Sequence, residues 1–234
     1  MRVDPSYTIK KEFENAMRFA RRLVELANKT KPASSEHHPL LDFVRIMGRG
    51  LQAKYLLRTL YTSDEIELPL DFSGIAIDMS ISLSPYREVS FYDLVEIVEA
   101  GEEPFPVCRD LLIPLPWMRK KLLESLAYIG EGRKWGNWRQ DDNHDIELWL
   151  PIGIAWARSG DHSLVPSLLD EGVEITPTDV LDIGGVYDYV FCDGRYYRRV
   201  EDESIISTVK CAETAILFEV GRLMVENGIS FKCS

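Results

Sequence analysis

The stretch Asp145-Ile146-Glu147-Leu148-Trp149-Leu150-Pro151-Ile152-Gly153-Ile154-Ala155-Trp156-Ala157-Arg158 decides how the second half of this chain is read. Trp149, Ile152 and Trp156 recur at steps of three and four, the spacing of one helix face. Gly160 follows as a stop signal. The spacing therefore predicts a helix over 145–158, and the fold class follows from it.

The neighbouring segments are read in the same way. Trp117 to Ile129 reads as a helix ended by Gly130, and Asp161 as the cap of a short helix ended by Gly172. Thr176 before Pro177 gives a further helix start. Ile205 to Glu226 reads as a long closing helix with Ile205, Val209, Ala212, Ile216, Val220 and Leu223 inward, stopped by Asn227-Gly228. Ser90 and Asp93 form a capping-box pattern with Gly101 as the stop, and the Pro-punctuated run Pro104 to Pro116 leaves room for a short helix near 107–113.

At the other end, Phe13, Ala16, Met17, Ala20, Val24 and Ala27 share one face of a helix over 8–29, with Glu14, Arg18 and Arg22 on a solvated side. A second helix is predicted from Pro39 to Tyr61, with Leu40, Val44, Met47, Leu51 and Leu57 as its spine. Gly48 and Gly50 weaken it and give the first helix room to approach. Two places read as extended. Residues 64–85 alternate apolar and polar with period two, and Asp193-Gly194 between two aromatic runs marks a hairpin over Val186 to Val200.

The expected fold is mainly α: one multi-helix, helical-hairpin domain over 1–234 with a small β-hairpin or extended element. It comprises an N-terminal helical pair (1–62), an extended segment (63–85) and a helical body (86–234) with the hairpin near 186–200. No internal repeat supports a solenoid.

Composition bounds the function. The chain has 234 residues, 45% hydrophobic and 28% charged, which excludes a disordered, collagenous or plain coiled-coil protein. No apolar run reaches the roughly 18 residues of a membrane span, and Met1 to Lys11 lacks a secretory core, so a cytoplasmic protein is expected. Cys108, Cys192, Cys211 and Cys233 form no C-x-x-C pair, so zinc-ribbon spacing is absent and reduced thiols are expected, with Cys108 and Cys211 as small core residues.

The net charge of −11 is unevenly spread. Residues 1–60 carry a net +6, 61–118 a net −10, 119–140 a net +4 and 141–193 a net −11, while 194–234 balance. An acidic protein is a poor ligand for phosphate backbones and anionic membranes, so nucleic acid and membrane are disfavoured partners. Exposed acidic blocks attract a basic protein instead.

The densest polar cluster is Trp135-Gly136-Asn137-Trp138-Arg139-Gln140-Asp141-Asp142-Asn143-His144-Asp145, with Glu147 beyond it. Indoles and arginine beside acids are the residue types of binding hot spots. Trp135, Trp138, Asp141, Asp142, Asp145 and Glu147 are accordingly read as a surface that engages a basic protein partner, without catalysis, metal or cofactor. Acidic helical immunity proteins that neutralise toxins supply a class analogy, with a toxin as one such partner.

Two resemblances offer enzymatic alternatives. Arg139 and His144 form an R-x4-H spacing that resembles the motif of HEPN-type ribonucleases. The resemblance implies a small helical protein that cleaves RNA without metal, with His and Arg in acid–base and phosphate-binding roles and Gln140 as the polar residue after the arginine. His144-Asp145 also resembles, over a dipeptide, the HD-type metal phosphohydrolases, with His37 or His38 and Asp182 or Asp188 as further ligands. His37-His38 and His162 otherwise read as surface residues.

Overall fold

A computed structural model describes residues 5–29, 38–63, 77–98, 112–170 and 173–231. The first two helices lie where the periodicity puts them: α1 at Pro5–Lys29 and α2 at Pro39–Tyr61. Phe13, Met17, Ala20 and Val24 of α1 are buried, as are Leu40, Val44 and Leu51 of α2, whereas Leu57 is exposed. On the charged side of α1, Lys10 meets Glu14, Arg22 meets Glu25, and Arg18 donates to Asn15. Gly48 serves α2 in an unexpected direction, because a side chain there would meet Ile154 of the sheet rather than α1.

The second half corrects the mainly-α expectation. Residues 145–158 are not a helix but two central strands, β3 (Ile146–Leu150) and β4 (Ile154–Ala157). They pair antiparallel, with Glu147 opposite Trp156 and Leu148 opposite Ala155, around a turn holding cis Pro151 and Gly153. The reason the sequence misleads is burial on both faces. Every residue of these strands except Leu150 is buried, so the polar half of the strand alternation is missing and the apolar residues fit either period.

Three further helix readings fall with it. Residues 179–182 form a strand, β5 (Asp179–Asp182), parallel to β3, in place of the helix expected after Thr176-Pro177. The capping box at Ser90 and Asp93 does form, with reciprocal bonds of 2.8 and 3.2 Å, but it starts only a single 3-10 turn, Tyr92–Leu94. The chain then enters β1 (Glu96–Ile97), antiparallel to β5. Leu112–Ile113, expected in a short helix, form β2, parallel to β4. Of the extended segment expected over 64–85, residues 77–85 run as turns and bends; residues 64–76 and 99–111 lie outside the described residues.

The strand order of this mixed sheet is β1-β5-β3-β4-β2. A second sheet, β6-β7-β8, is antiparallel. Its first two strands, β6 (Val190–Cys192) and β7 (Tyr196–Arg199), are the hairpin expected around Asp193-Gly194. Its third, β8 (Ile205–Thr208), takes the first turn of the expected closing helix, which is shortened to α5 (Ala212–Glu226) and ends at Asn227-Gly228 as read. Two helices remain between: α3 (Arg119–Tyr128) and α4 (Asp161–Ser167), the latter entered through Gly160 rather than capped by Asp161. The protein is thus a mixed α/β fold, with five α-helices and eight strands among the described residues.

The core joins both sheets to the helices. α1, α2 and α5 pack on one another, and α2 touches β2, where Gln52 donates to the Leu112 carbonyl at 2.6 Å. Trp149 stacks on Phe91 at 5.1 Å and meets Trp156 edge-on at 5.8 Å, while Phe218 of α5 packs on Tyr187 and Tyr197. Arg222 donates to the carbonyls of Tyr187 and Val190 and pairs with Glu219, and this ties α5 to the second sheet.

Candidate functional site

Residues 129–144 leave α3, wind through a turn and enter β3, and α4 begins beside them. Together they form an open pocket of about 380 Å³ lined by Ile129, Trp135, Gly136, Asn137, Trp138, Arg139, Asp141, His144 and Ser163. That volume is in the range of small-ligand or side-chain pockets.

Local bonds shape the turn. Trp135 N–H donates to the Tyr128 carbonyl and Gly130 N–H to that of Gly136, so the loop folds back on the end of α3. Arg133 donates to the carbonyls of Leu126 and Ile129, acceptors left open at a helix C-terminus. Gln140 holds the far side, bonding both the N–H and the carbonyl of Thr176.

The pocket brings together five of the residues singled out in the sequence: Trp135, Trp138, Arg139, Asp141 and His144. They differ in access. Trp135 is 55% exposed, and its ring leans on Tyr128 at 4.9 Å. Arg139, Asp141 and Asp142 are exposed. Trp138 is buried, its ring 5.2 Å from that of His144, and its indole N–H has no hydrogen-bond partner among the described residues.

His144 is buried and fully engaged. Its Nε2 lies 2.9 Å from Ser163 Oγ, which donates to the Gly160 carbonyl. Its Nδ1 faces both the Asp141 N–H at 3.0 Å and the Asp141 carboxylate at 2.9 Å, so a neutral ring accepts from the first and a protonated ring donates to the second. Gly160 makes this contact possible: a β-carbon there would stand 2.7 Å from the His144 ring, and its φ of 77° suits glycine.

Asp145 and Glu147 turn toward Arg158. Arg158 bonds Glu147 at 2.7 Å and lies 3.7 Å from Asp145, while the Trp149 indole donates to the other Glu147 oxygen. Glu147 is 3% exposed, so it belongs to the interior of the sheet and not to a contact surface. Its charge in turn holds the Arg158 guanidinium above its ordinary range.

Two histidines that the sequence assigned to the surface bond backbone N–H groups, His38 buried and His162 half-buried. His38 is buried and caps α2, its Nδ1 accepting from Leu40 N–H. His162 accepts from the Met118 N–H at 3.0 Å, and its neighbour Asp161 accepts from Leu115 N–H at 2.8 Å, so the start of α4 clamps the loop between β2 and α3. The roles of His162 and Asp161 do not show in the sequence, because their partners are backbone groups more than 40 residues away.

Burial pushes the Asp161 carboxyl up to about 6, and burial, then Lys121, pushes His162 down to about 4. The signs oppose. The Asp161 contribution is present below its unfolded value near 3.8 and is lost as pH rises through 6; the His162 contribution is present above 6.5 and is lost as pH falls through 4. Asp161→Asn is therefore expected to gain stability relative to the parent as pH rises from 4 to 6, by up to about 3 kcal/mol. Urea unfolding at several pH values measures it, and a difference that does not change with pH would refute the assignment.

The electrostatic partition within the fold is equally plain. The basic helix α2 pairs with α5 through Lys54 and Glu213 at 2.8 Å. Asp142, Glu174 and Asp188 are exposed and make no ion pair among the described residues. Among those residues, too, no group of three or more His, Cys, Asp or Glu comes together to hold a metal, and no helix is long and apolar enough to cross a membrane. His37, the other histidine nominated as a ligand, lies outside the described residues, as do Cys108 and Cys233. Cys192 is buried; Cys211 is half-buried with its sulfur 2.7 Å from Glu213.

Fold and site define a mixed α/β protein with an open pocket of aromatic and charged residues beside its central sheet. The chain belongs to a family of unknown function, DUF6710, whose model matches residues 2–231. No curated protein and no solved structure matches it.

Proposed function

We propose that this chain is a non-catalytic binding protein that takes an arginine or lysine side chain of a basic protein partner into the pocket between Trp135 and Asp141. The observation that carries the reading is the exposed indole of Trp135 lining one open pocket with the Asp141 carboxylate. An indole face attracts a cation by about 0.5–2 kcal/mol, and a carboxylate beside it adds charge-assisted hydrogen bonds. Asp142, exposed and without an ion pair among the described residues, extends the negative field. Trp138 supports the floor and does not touch the partner, and Arg139 on the same lining opposes the incoming cation.

The test is calorimetric titration with a short arginine-bearing peptide and with its glutamate-substituted twin. The parent is expected to bind the first and not the second. Trp135→Ala or Asp141→Asn is expected to weaken binding at least about tenfold, and Arg139→Ala to strengthen it. Equal affinity in parent and both weakening variants would refute the reading.

One observation favours a second reading, ribonuclease action by Arg139 and His144: both line the same pocket. The helical fold that the HEPN resemblance implies is not the fold found, since this pair precedes a β-strand. His144 also has both ring nitrogens bonded and its side chain 4% exposed, whereas an acid–base group must reach its substrate. Cleavage of single-stranded RNA in chelator, lost in His144→Asn, would support this reading against the first.

A further inference from the structure

Asp141, the carboxylate offered to the partner's cation, is also met from inside the fold. Nδ1 of the buried His144 ring lies 2.9 Å from an Asp141 carboxylate oxygen and 3.0 Å from the Asp141 N–H. A single hydrogen decides which of these contacts attracts, and the rest of the ring fixes its place. Ser163 donates its one hydroxyl hydrogen to the Gly160 carbonyl at 2.9 Å, so its oxygen accepts from Nε2. Nε2 therefore carries hydrogen in either charge state, and Nδ1 is the atom that gains or loses the proton. Without that proton, the Nδ1 lone pair receives the Asp141 N–H and stands against the carboxylate oxygen, acceptor to acceptor. With it, Nδ1 donates a charge-assisted hydrogen bond to the same oxygen.

The surroundings leave this proton to Asp141. The start of α4 faces the ring with Gly160 and the neutral Ser163, while the titratable residues between them, Asp161 and His162, bond Leu115 and Met118. Thr178, ahead of β5, bonds the His144 carbonyl, and Asp145 lies beside Arg158. Trp138 packs on the ring, and Arg139 is the cation of the pocket lining. The Asn143 N–H donates to the same Asp141 oxygen that faces Nδ1. A proton on His144 and a cation in the pocket thus draw on one carboxylate, from its two sides.

We infer that the pocket exchanges a proton for the partner's cation: the guanidinium or ammonium that meets Asp141 displaces the hydrogen between Asp141 and His144 Nδ1. That hydrogen passes to solvent, and the neutral ring keeps the Asp141 N–H. The exchange rests on Asp141 receiving the partner's cation, and it adds that acid weakens binding. Linkage makes the effect reciprocal, since a proton that weakens the cation is itself weakened by it.

The probe is N-acetylarginine amide, whose guanidinium stays charged throughout. Calorimetric titration of the full chain is expected to show affinity falling about fivefold or more from about pH 8 to about pH 5.5, a range in which imidazole rather than carboxylate titrates. In that range the heat of binding is expected to vary with the ionisation enthalpy of the buffer, with the sign of proton release. His144→Gln, with no proton to give up, is expected to bind with an affinity that pH does not change. In the parent, where no substitution can disturb folding, nitrogen NMR of the imidazole is expected to show Nδ1 losing its proton as the probe binds at about pH 6. Affinity that does not change with pH, proton uptake in place of release, a pH dependence kept by His144→Gln, or an Nδ1 that does not respond would overturn the inference and leave the pocket reading standing. No binding at any of these pH values would overturn the pocket reading and the exchange with it.

Discussion

Arg158→Ala is expected to lower stability by about 3 kcal/mol, more than the loss of an exposed ion pair explains. The reason lies in Glu147, not in the arginine. Glu147 is on a central strand with its side chain 4% exposed, and its charge is balanced by Arg158 at 2.7 Å and by the Trp149 indole. Removing the guanidinium leaves the buried Glu147 carboxyl without its counter-ion, bonded by the Trp149 indole. Glu147→Gln in the same background removes that charge while keeping an acceptor for Trp149, so the double variant is expected to recover most of the loss. Urea unfolding of the four proteins of this cycle decides it. Equal losses in Arg158→Ala and in the double variant would show that the arginine acts through packing alone.

Gly153→Ala is the second large effect, at about 2 to 5 kcal/mol. Gly153 has a φ of 70°, a conformation that costs an L side chain about 1 kcal/mol or more. A β-carbon there would also stand 2.2 Å from the ring of Phe231, a buried residue whose N–H donates to the Pro151 carbonyl. Neither the turn nor the ring has room to move without loss. Thermal or urea unfolding measures the change, and a variant within about 1 kcal/mol of the parent would contradict this packing.

Both predictions fall in 145–158, where the sequence was most misleading, and the cause is general. α1 and α2 were legible because one side of each meets water and the other a core, at least over the stripe that carries the periodicity. β3 and β4 meet core on both faces, so Trp149, Ile152 and Trp156 fall at helical steps with no polar residues to contradict them. Pro151 and Gly153, which punctuate the hairpin turn, were the available signal. The hairpin at Asp193-Gly194 was legible from its turn chemistry, and the capping box at Ser90 formed but could not reveal that its helix ends after one turn.

The candidate pocket was legible in composition and not in geometry. Trp135, Arg139 and Asp141 share it with Trp138 and His144, all within one contiguous polar stretch. What the stretch could not disclose was access. His144 turns inward because Ser163 and Gly160 of a later segment receive it, Trp138 packs on the His144 ring, and Glu147 turns inward to Arg158. A run of polar letters does not distinguish a side chain that faces water from one that completes a buried network.

The proposed binding function requires a cationic side chain to enter beside Trp135. Indole N–H resonances of the five tryptophans, followed by NMR during titration with N-acetylarginine amide, test it at the atom concerned. Trp135 is expected to move most and Trp138 next, while Trp117, Trp149 and Trp156 stay in place and N-acetylglutamate amide moves none of them. Shifts centred on Trp117, Trp149 or Trp156, or an equal response to the acidic compound, would contradict it.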